Sequence, residues 1–236
     1  MKITAIVLAA GRGKRMQSDR PKQYLEIEGK PILYYTLKAF EDSFIDEVIL
    51  VTSKDDISYC KEEIVRNYGF SKVSQIVEGG KERYHSVMNG IFSAKDSDFI
   101  FIHDGARPFV KEDMLKRLID GAKQYKACVA AVPVKDTVKI ADKDGFIEST
   151  PNRNLLWAVQ TPQVFEYELI KKAYKKLEME ETTILNRGIQ ITDDAMVVET
   201  LLGEKVKLVE GDYCNIKITT PEDLDIAQVL VKKTLK

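Results

Sequence analysis

Near the start of the chain, Ile3-Thr4-Ala5-Ile6-Val7-Leu8-Ala9 runs without a break into Ala10-Gly11-Arg12-Gly13-Lys14-Arg15-Met16. A short run of Ile, Val, Leu and Ala that ends in a glycine loop is the pattern of a strand buried on both faces, as in a parallel sheet. Val48–Val51, Val73–Val77, Phe99–Ile102 and Cys128–Val134 read the same way. Between these runs, Pro31–Phe40, Asp55–Tyr68, Glu82–Ala94 and Lys111–Tyr125 carry apolar residues three and four apart, for example Leu115, Leu118, Ile119 and Ala122. That spacing predicts amphipathic helices. Strand and helix alternate four times before residue 135, which predicts a doubly wound α/β sheet with right-handed crossovers.

The rhythm stops after Val134. Lys135–Ile140 and Phe146–Thr150 are short β-like pieces around the turn Asp142-Lys143-Asp144-Gly145, closed by Pro151, and they predict a hairpin projecting from the sheet. Helical periodicity returns at Glu166–Glu180 and Asp193–Leu202, β character at Val206–Val209 and Asn215–Ile218, and a last helix is expected beyond Pro221. No linker and no repeat interrupts the chain, so a single domain over 1–236 with an inserted arm at about 135–152 is expected.

Composition narrows the function. With 36 Lys+Arg against 37 Asp+Glu the net charge is −1, so no global basic field draws in nucleic acid or an anionic membrane. Any anion binding is local. Cys60, Cys128 and Cys214 are odd in number, far apart and never in a CxxC, which fits neither a disulfide framework nor a zinc site and predicts a reducing compartment. The N-terminal apolar run is about eight residues, too short for a bilayer, and Arg12, Lys14 and Arg15 follow it directly. A cytoplasmic protein is expected.

Four segments carry chemistry. The glycine loop after the first strand matches neither the dinucleotide fingerprint, because Met16 stands where the third glycine belongs, nor the P-loop. It does set Arg12, Lys14, Arg15, Arg20 and Lys22 against one acid, Asp19. Glycines admit backbone N–H groups to phosphate oxygens, Arg supplies planar forks and Lys compact charge, so the loop suits a polyphosphate; a solvated basic loop is the plainer alternative. His103-Asp104-Gly105-Ala106-Arg107-Pro108 puts a carboxylate and a guanidinium at the carboxyl end of a strand, where open α/β sheets bind ligands. Asp104 suits a sugar hydroxyl or a metal-bound phosphate, or pairs structurally with Arg107. His103, with His85 as the only other histidine, reads as structural. Gly79-Gly80-Lys81-Glu82-Arg83-Tyr84-His85-Ser86 lets a flat base lie against the backbone near Ser86, whose hydroxyl is otherwise an early-helix one. In Asn152–Gln163 the single tryptophan, Trp157, reads as core; Lys217 falls on a late strand, and Thr192-Asp193-Asp194 reads as an N-cap with first-turn acids.

Taken in order, AAGRGKRM, RPKQYL, GGKERYHSV, HDGARPF, RNLLWAVQTPQ, TDDA and NIKITTPEDL resemble the 2-C-methyl-D-erythritol 4-phosphate cytidylyltransferases from Ala9 to Leu224. The resemblance implies a Rossmann-like nucleotidyltransferase fold, with a mostly parallel central sheet, helices on both faces and a β-arm that builds a homodimer. It implies that CTP and 2-C-methyl-D-erythritol 4-phosphate react, with Mg²⁺ carried mainly by the CTP phosphates and Asp104 as a possible ligand, to give 4-diphosphocytidyl-2-C-methyl-D-erythritol and pyrophosphate in non-mevalonate isoprenoid synthesis. By the same resemblance Arg15 and Lys22 stabilise the transition state, and Arg153 and Lys217 hold the acceptor phosphate, Arg153 reaching the neighbouring subunit's site. Ala9, Ala10, Gly11, Gly80 and Ser86 surround the cytidine and its phosphates, and Asp104, Gly105, Arg107 and Thr161 line the polyol side. The rivals are a ribitol 5-phosphate cytidylyltransferase, disfavoured by Ala9-Ala10-Gly11, Gly105-Ala106 and Asn154-Leu155-Leu156-Trp157, and a non-catalytic nucleotide-binding module, which has no use for the acceptor pair. With the chain ending at Lys236, no fused second enzyme is expected.

Overall fold

The strand Ile3–Ala9 (β1) is an interior strand of a seven-stranded sheet, and its side chains divide the core in two. Ile3, Ala5, Val7 and Ala9 face one layer, built by helices Ile32–Glu41 (α1) and Glu112–Tyr125 (α3) and by Cys60 and Ile64. Ile6 faces the other, built by helices Arg83–Ser93 (α2), Tyr167–Asn186 (α4) and Asp194–Leu202 (α5). That two-sided burial is why the strand reads as a continuous apolar run, and each large side chain so buried contributes about 1.5–3 kcal/mol. Helices therefore cover both faces, as expected. The structure, a computed structural model, describes residues 1–11, 13–16, 18 and 20–234.

The other strands are Glu47–Thr52 (β2), Val73–Glu78 (β3), Phe99–Asp104 (β4), Ala127–Pro133 (β5), Trp157–Glu166 (β6) and Lys207–Glu210 (β7), and the sheet order is β7-β5-β6-β4-β1-β2-β3. β1 pairs parallel with β2 and β4, β2 with β3, and β5 with β7. The exception is β6, which runs antiparallel between β4 and β5. It lies in a stretch for which the sequence predicts no strand: Gln160, Thr161 and Gln163 hide the alternation because their polar side chains are buried and hydrogen-bonded. β3 is an edge strand and half-buried, so Val73–Val77 is not buried on both faces. Ile57–Tyr59 is α-helical and Cys60–Arg66 π-helical within the stretch expected as one helix.

Asn215–Ile218 is not a strand. Single bonds hold it, Ile218 N–H to Ala106 O and Asn215 N–H to Asp212 O, both at 2.9 Å, with the buried Asn215 side chain donating to Thr161 O at 2.8 Å, and no ladder forms. Ile140–Ala141 and Ile147–Ser149 form the expected hairpin, and residues 135–150 are exposed throughout. Trp157 is not core: it lies 37% exposed at the outer end of β6, where the strand leaves the helical layers. The last helix, Pro221–Thr234 (α6), packs Ala227 and Val231 against Ile27, Ile32 and Ile218. No helix among the described residues is long and apolar enough to cross a membrane.

Candidate active site

The carboxyl ends of β1 and β4 and the loop after β3 meet around a cleft of about 390 Å³. Its floor is the glycine loop. Gly13 sits at φ +63°, and a Cβ there would come within 2.9–3.0 Å of the Lys22 stem, so the position needs glycine both for its backbone and for the lysine lying against it. Met16 N–H donates to Gly13 O at 2.9 Å, closing the single turn Lys14–Met16 that leaves Arg15 exposed at the rim. Arg12 and Asp19 lie outside the described residues, as does the side chain of Lys14. Arg20, counted with this basic cluster, turns away to Tyr59 Oη at 2.7 Å and Glu26.

Lys22 is carried in by the turn Lys22–Tyr24, which Tyr24 anchors: its buried hydroxyl meets Thr52 Oγ1 at 2.8 Å and Cys60 Sγ at 3.1 Å. Lys22 Nζ donates to Ile218 O at 2.9 Å. Burial, reinforced by the neighbouring Lys217, Arg15 and Arg107 charges and opposed by Asp104, pulls its ammonium down to about 8. A lysine so placed is short of negative charge, which a phosphate would supply.

Asp104 is the hub. Oδ2 accepts from Lys217 Nζ at 2.8 Å and lies 3.8 Å from Arg107 Nε, while Oδ1 accepts from Arg83 Nε at 3.4 Å. Burial alone would raise its pKa, but Arg83, Lys217 and Arg107 overcome that and hold the carboxyl well below the usual range. Behind it, Thr161 Oγ1 accepts from Asp104 N–H at 3.0 Å and so has its own proton for His103 Nδ1 at 3.1 Å; His103 Nε2 then donates to Arg107 O at 3.0 Å. Burial takes His103 down to about 4, and a neutral ring is what this chain of bonds requires. His103 is structural, as read.

On the opposite wall, Gly80 N–H donates to Ser86 Oγ at 3.0 Å, and a Cβ on Gly79 would stand 2.5 Å from Ala10 Cβ and 2.9 Å from Ser86 Oγ. The two glycine loops therefore touch.

Ala9, Ala10, Gly11, Arg15, Lys22, Gly80, Ser86, Asp104 and Lys217 thus line one cleft. Gly105, Arg107 and Thr161 stand a layer behind it: Gly105 N–H is bonded to Leu8 O, Arg107 Nη1 to Asn215 O and the Thr161 hydroxyl to Asp104 and His103. Arg153 is exposed on the single turn Arg153–Leu155, with Nη1 on Lys135 O at 3.0 Å, and does not reach the cleft of its own chain.

The sequence reading missed Arg83, which lines the cleft beside Asp104, and Asp194, which holds it. Asp193 does cap α5, accepting from Met196 N–H at 3.0 Å. Asp194 is instead fully buried, and two adjacent acids before an apolar run carried no signal to separate them. Among the described residues no three His, Cys, Asp or Glu side chains cluster as a metal cage. The cleft wall offers Asp104, and a divalent cation there would draw its other oxygens from a triphosphate and water, which suits Mg²⁺.

The model of the family described as IspD, 2-C-methyl-D-erythritol 4-phosphate cytidylyltransferase, matches residues 3–233. The chain is 51% identical over 232 residues, 98% of its own length and 97% of the relative's, to the 2-C-methyl-D-erythritol 4-phosphate cytidylyltransferase of Lachnoclostridium phytofermentans. It is 50% identical over 235 residues, 99% and 100% of the two chains, to that of Caldanaerobacter subterraneus subsp. tengcongensis. Among solved structures it is similar to the 4-diphosphocytidyl-2C-methyl-D-erythritol synthase of Anaerococcus prevotii, with TM-score 0.82, 36% identity and coverage of 98% and 96%. The 2-C-methyl-D-erythritol 4-phosphate cytidylyltransferase of Thermus thermophilus gives TM-score 0.76 at 30% identity over 98% of this chain and all of that one.

Proposed function

The chain belongs to the 2-C-methyl-D-erythritol 4-phosphate cytidylyltransferase family, a family of nucleotidyltransferases that make 4-diphosphocytidyl-2-C-methyl-D-erythritol in the non-mevalonate pathway, and we propose how its cleft performs that transfer. An oxygen of the acceptor phosphate attacks the α-phosphorus of CTP in line; the new P–O bond forms as the α–β anhydride bond breaks and pyrophosphate departs. The attacking oxygen is already ionised near neutral pH, so no general base is required. The carrying observation is that Arg15, Lys22 and Lys217 converge on one cleft with Asp104, while His103 behind it is buried and neutral and the His85 ring is turned to Glu181.

Arg15 and Lys22 neutralise charge on the α-phosphate and the leaving pyrophosphate. Ala9, Ala10 and Gly11 face the triphosphate, and Gly80 and Ser86 the cytosine. Lys217, with Arg153 supplied by a second subunit, holds the acceptor phosphate, and Asp104 takes the polyol side with Gly105, Arg107 and Thr161 behind it. Mg²⁺ would be held mainly by the CTP phosphates, with Asp104 able to join them, and would supply further charge neutralisation.

The homodimer reading is supported by an exposed apolar band, Ile140, Phe146, Ile147, Leu155, Trp157 and Val159, along the arm and the outer half of β6; such a band on a protein surface marks an association site. We read residues 1–236 as one domain whose arm, about 135–152, makes that dimer. The free thiols of Cys60, Cys128 and Cys214 fit a cytoplasmic setting.

Pyrophosphate release from CTP and Mg²⁺, with methylerythritol 4-phosphate or ribitol 5-phosphate as acceptor and Lys22→Ala as control, tests the reading. Release with the first acceptor alone, lowered in kcat by about 10²–10³ in a folded Lys22→Ala, is the expected result. Release with ribitol 5-phosphate alone would overturn the acceptor, and none with either would leave only a binding module.

A further inference from the structure

Asp194 lies outside the cleft and is fully buried, yet it is bonded straight to a residue of the cleft wall. Its Oδ1 accepts from Arg83 Nη1 at 2.9 Å and from the Tyr174 hydroxyl at 2.6 Å, and its Oδ2 accepts from Arg83 Nη2 at 2.8 Å. The backbone around it is fixed as well: Asp194 N–H and Ala195 N–H both donate to Gln163 Oε1, whose amide in turn donates to Asp193 Oδ2 at 2.9 Å. Tyr174 of α4 and Gln163 of β6 thus fix the carboxylate and its backbone, and that carboxylate grips a guanidinium from α2 by both prongs, the geometry that fixes orientation most firmly.

With Nη1 and Nη2 engaged, Arg83 presents Nε to Asp104 Oδ1 at 3.4 Å. The other oxygen of Asp104 carries Lys217 at 2.8 Å. A phosphate that draws Lys217 Nζ toward itself weakens this bond, and a buried carboxylate that loses part of its compensation is strongly unfavourable. Two cations stay, Arg107 at 3.8 Å from Oδ2 and Arg83, which is the one hydrogen-bonded to Oδ1. Arg83 can stay because Asp194 prevents its fork from following the phosphate.

We propose that Arg83 and Asp194 form a positioning pair for the acceptor half of the reaction, keeping the Asp104 carboxylate in place and compensated so that Lys217 is free to move from Asp104 to the acceptor phosphate. This rests on the cytidylyltransferase reading and adds to it two residues that act through Asp104.

The test is a double-mutant cycle of Asp194→Asn and Asp104→Asn, read as kcat/KM for methylerythritol 4-phosphate at saturating CTP, with CTP affinity measured separately by calorimetry. Asp194→Asn is expected to lower kcat/KM by about 10- to 100-fold, mainly through the acceptor KM, a loss on the scale of removing an outer-shell partner. Its CTP dissociation constant is expected to stay within about twofold. In the Asp104→Asn background no carboxylate remains to be stranded, and the same substitution is expected to lower kcat/KM by less than about threefold. Equal factors in the two backgrounds would mean that Asp194 only supports the fold and would overturn the proposal; so would a loss of CTP affinity as large as the loss of activity. If Asp194→Asn does not fold, Arg83→Lys, which keeps the charge and gives up the fork, runs the same cycle with the same expected pattern. A wild type inactive with this acceptor overturns the reading and the proposal together, whereas an active wild type with additive variants overturns the proposal alone.

Discussion

Raising the pH from 7 to 9 is expected to weaken CTP binding, and the group responsible is Lys22. Burial first, then Lys217, Arg15 and Arg107, brings its ammonium down to about 8, with Asp104 opposing them. About nine-tenths of the free protein therefore carries the charge at pH 7, about half at pH 8 and about a tenth at pH 9. A triphosphate beside Nζ favours the charged form, so the bound lysine stays protonated across this range. The apparent dissociation constant then scales inversely with the charged fraction and rises by up to about tenfold between pH 7 and 9, with uptake of about half a proton per CTP bound at pH 8. Folding of the free protein runs the other way. The unfolded chain keeps this proton to 10.5 and the folded one loses it near 8, so between those values the unfolded state binds more protons and stability rises with pH. Calorimetry at pH 8 in two buffers of different ionisation enthalpy counts the proton, and titrations at pH 7, 8 and 9 give the affinities. The phosphates are already ionised in this range, and Lys22→Arg, which cannot lose its charge, should flatten the profile. Binding that is indifferent to pH, without proton uptake, would refute the argument.

Gly79→Ala would place a Cβ 2.5 Å from Ala10 Cβ, an atom that cannot swing aside, and so push the two glycine loops apart. The expected result is a loss of about 1–3 kcal/mol in stability, read by chemical denaturation, with a raised KM for CTP; an unchanged KM would show that the spacing of the loops does not matter to the nucleotide. Arg153 acting across a dimer predicts complementation: an equimolar mixture of inactive Arg153→Ala and Lys22→Ala chains, dissociated and reassociated, should regain about a quarter of wild-type activity, because half the dimers are mixed and each holds one intact site. A mixture no more active than its parents would place Arg153 in the site of its own chain or in none.

What the sequence made legible divides along physical lines. The parallel strands and their helices follow from periodicity, because burial on both sheet faces leaves a continuous apolar run that needs no partner to be recognised. β6 did not show itself, since an antiparallel strand that spends Gln160, Thr161 and Gln163 on side-chain hydrogen bonds looks polar in one dimension and is buried in three. Trp157 failed for the opposite reason: an aromatic residue at the outer end of a strand is apolar whether or not its own chain covers it. Asn215–Ile218 has alternating side chains without a neighbouring strand in register, and alternation alone cannot supply one. In the site, the cations were readable because glycine and basic residues cluster in the chain after β1. The Arg83–Asp194 pair joins residues 111 positions apart, and nothing local in either segment announces the other.

The chain is nearly neutral, yet it gathers Arg15, Lys22, Arg83, Arg107 and Lys217 in one region, where Asp104 and Asp194 are the carboxylates paired with them. Such a surplus repels itself before any ligand arrives, and the structure shows how each charge is kept. Arg15 stays in solvent; Lys22 has its proton loosened; Lys217 leans on Asp104, Arg107 on Asn215 O and Arg83 on Asp194. These resting places differ in strength, and the order matters. The single bond from Lys217 to Asp104 is the easiest to exchange for a phosphate, and the forked, buried bond from Arg83 to Asp194 the hardest. A ligand carrying several negative charges therefore takes Lys22, Arg15 and Lys217 and leaves Arg83 where it is, so that the same electrostatic surplus that binds the nucleotide does not collapse the wall that positions it.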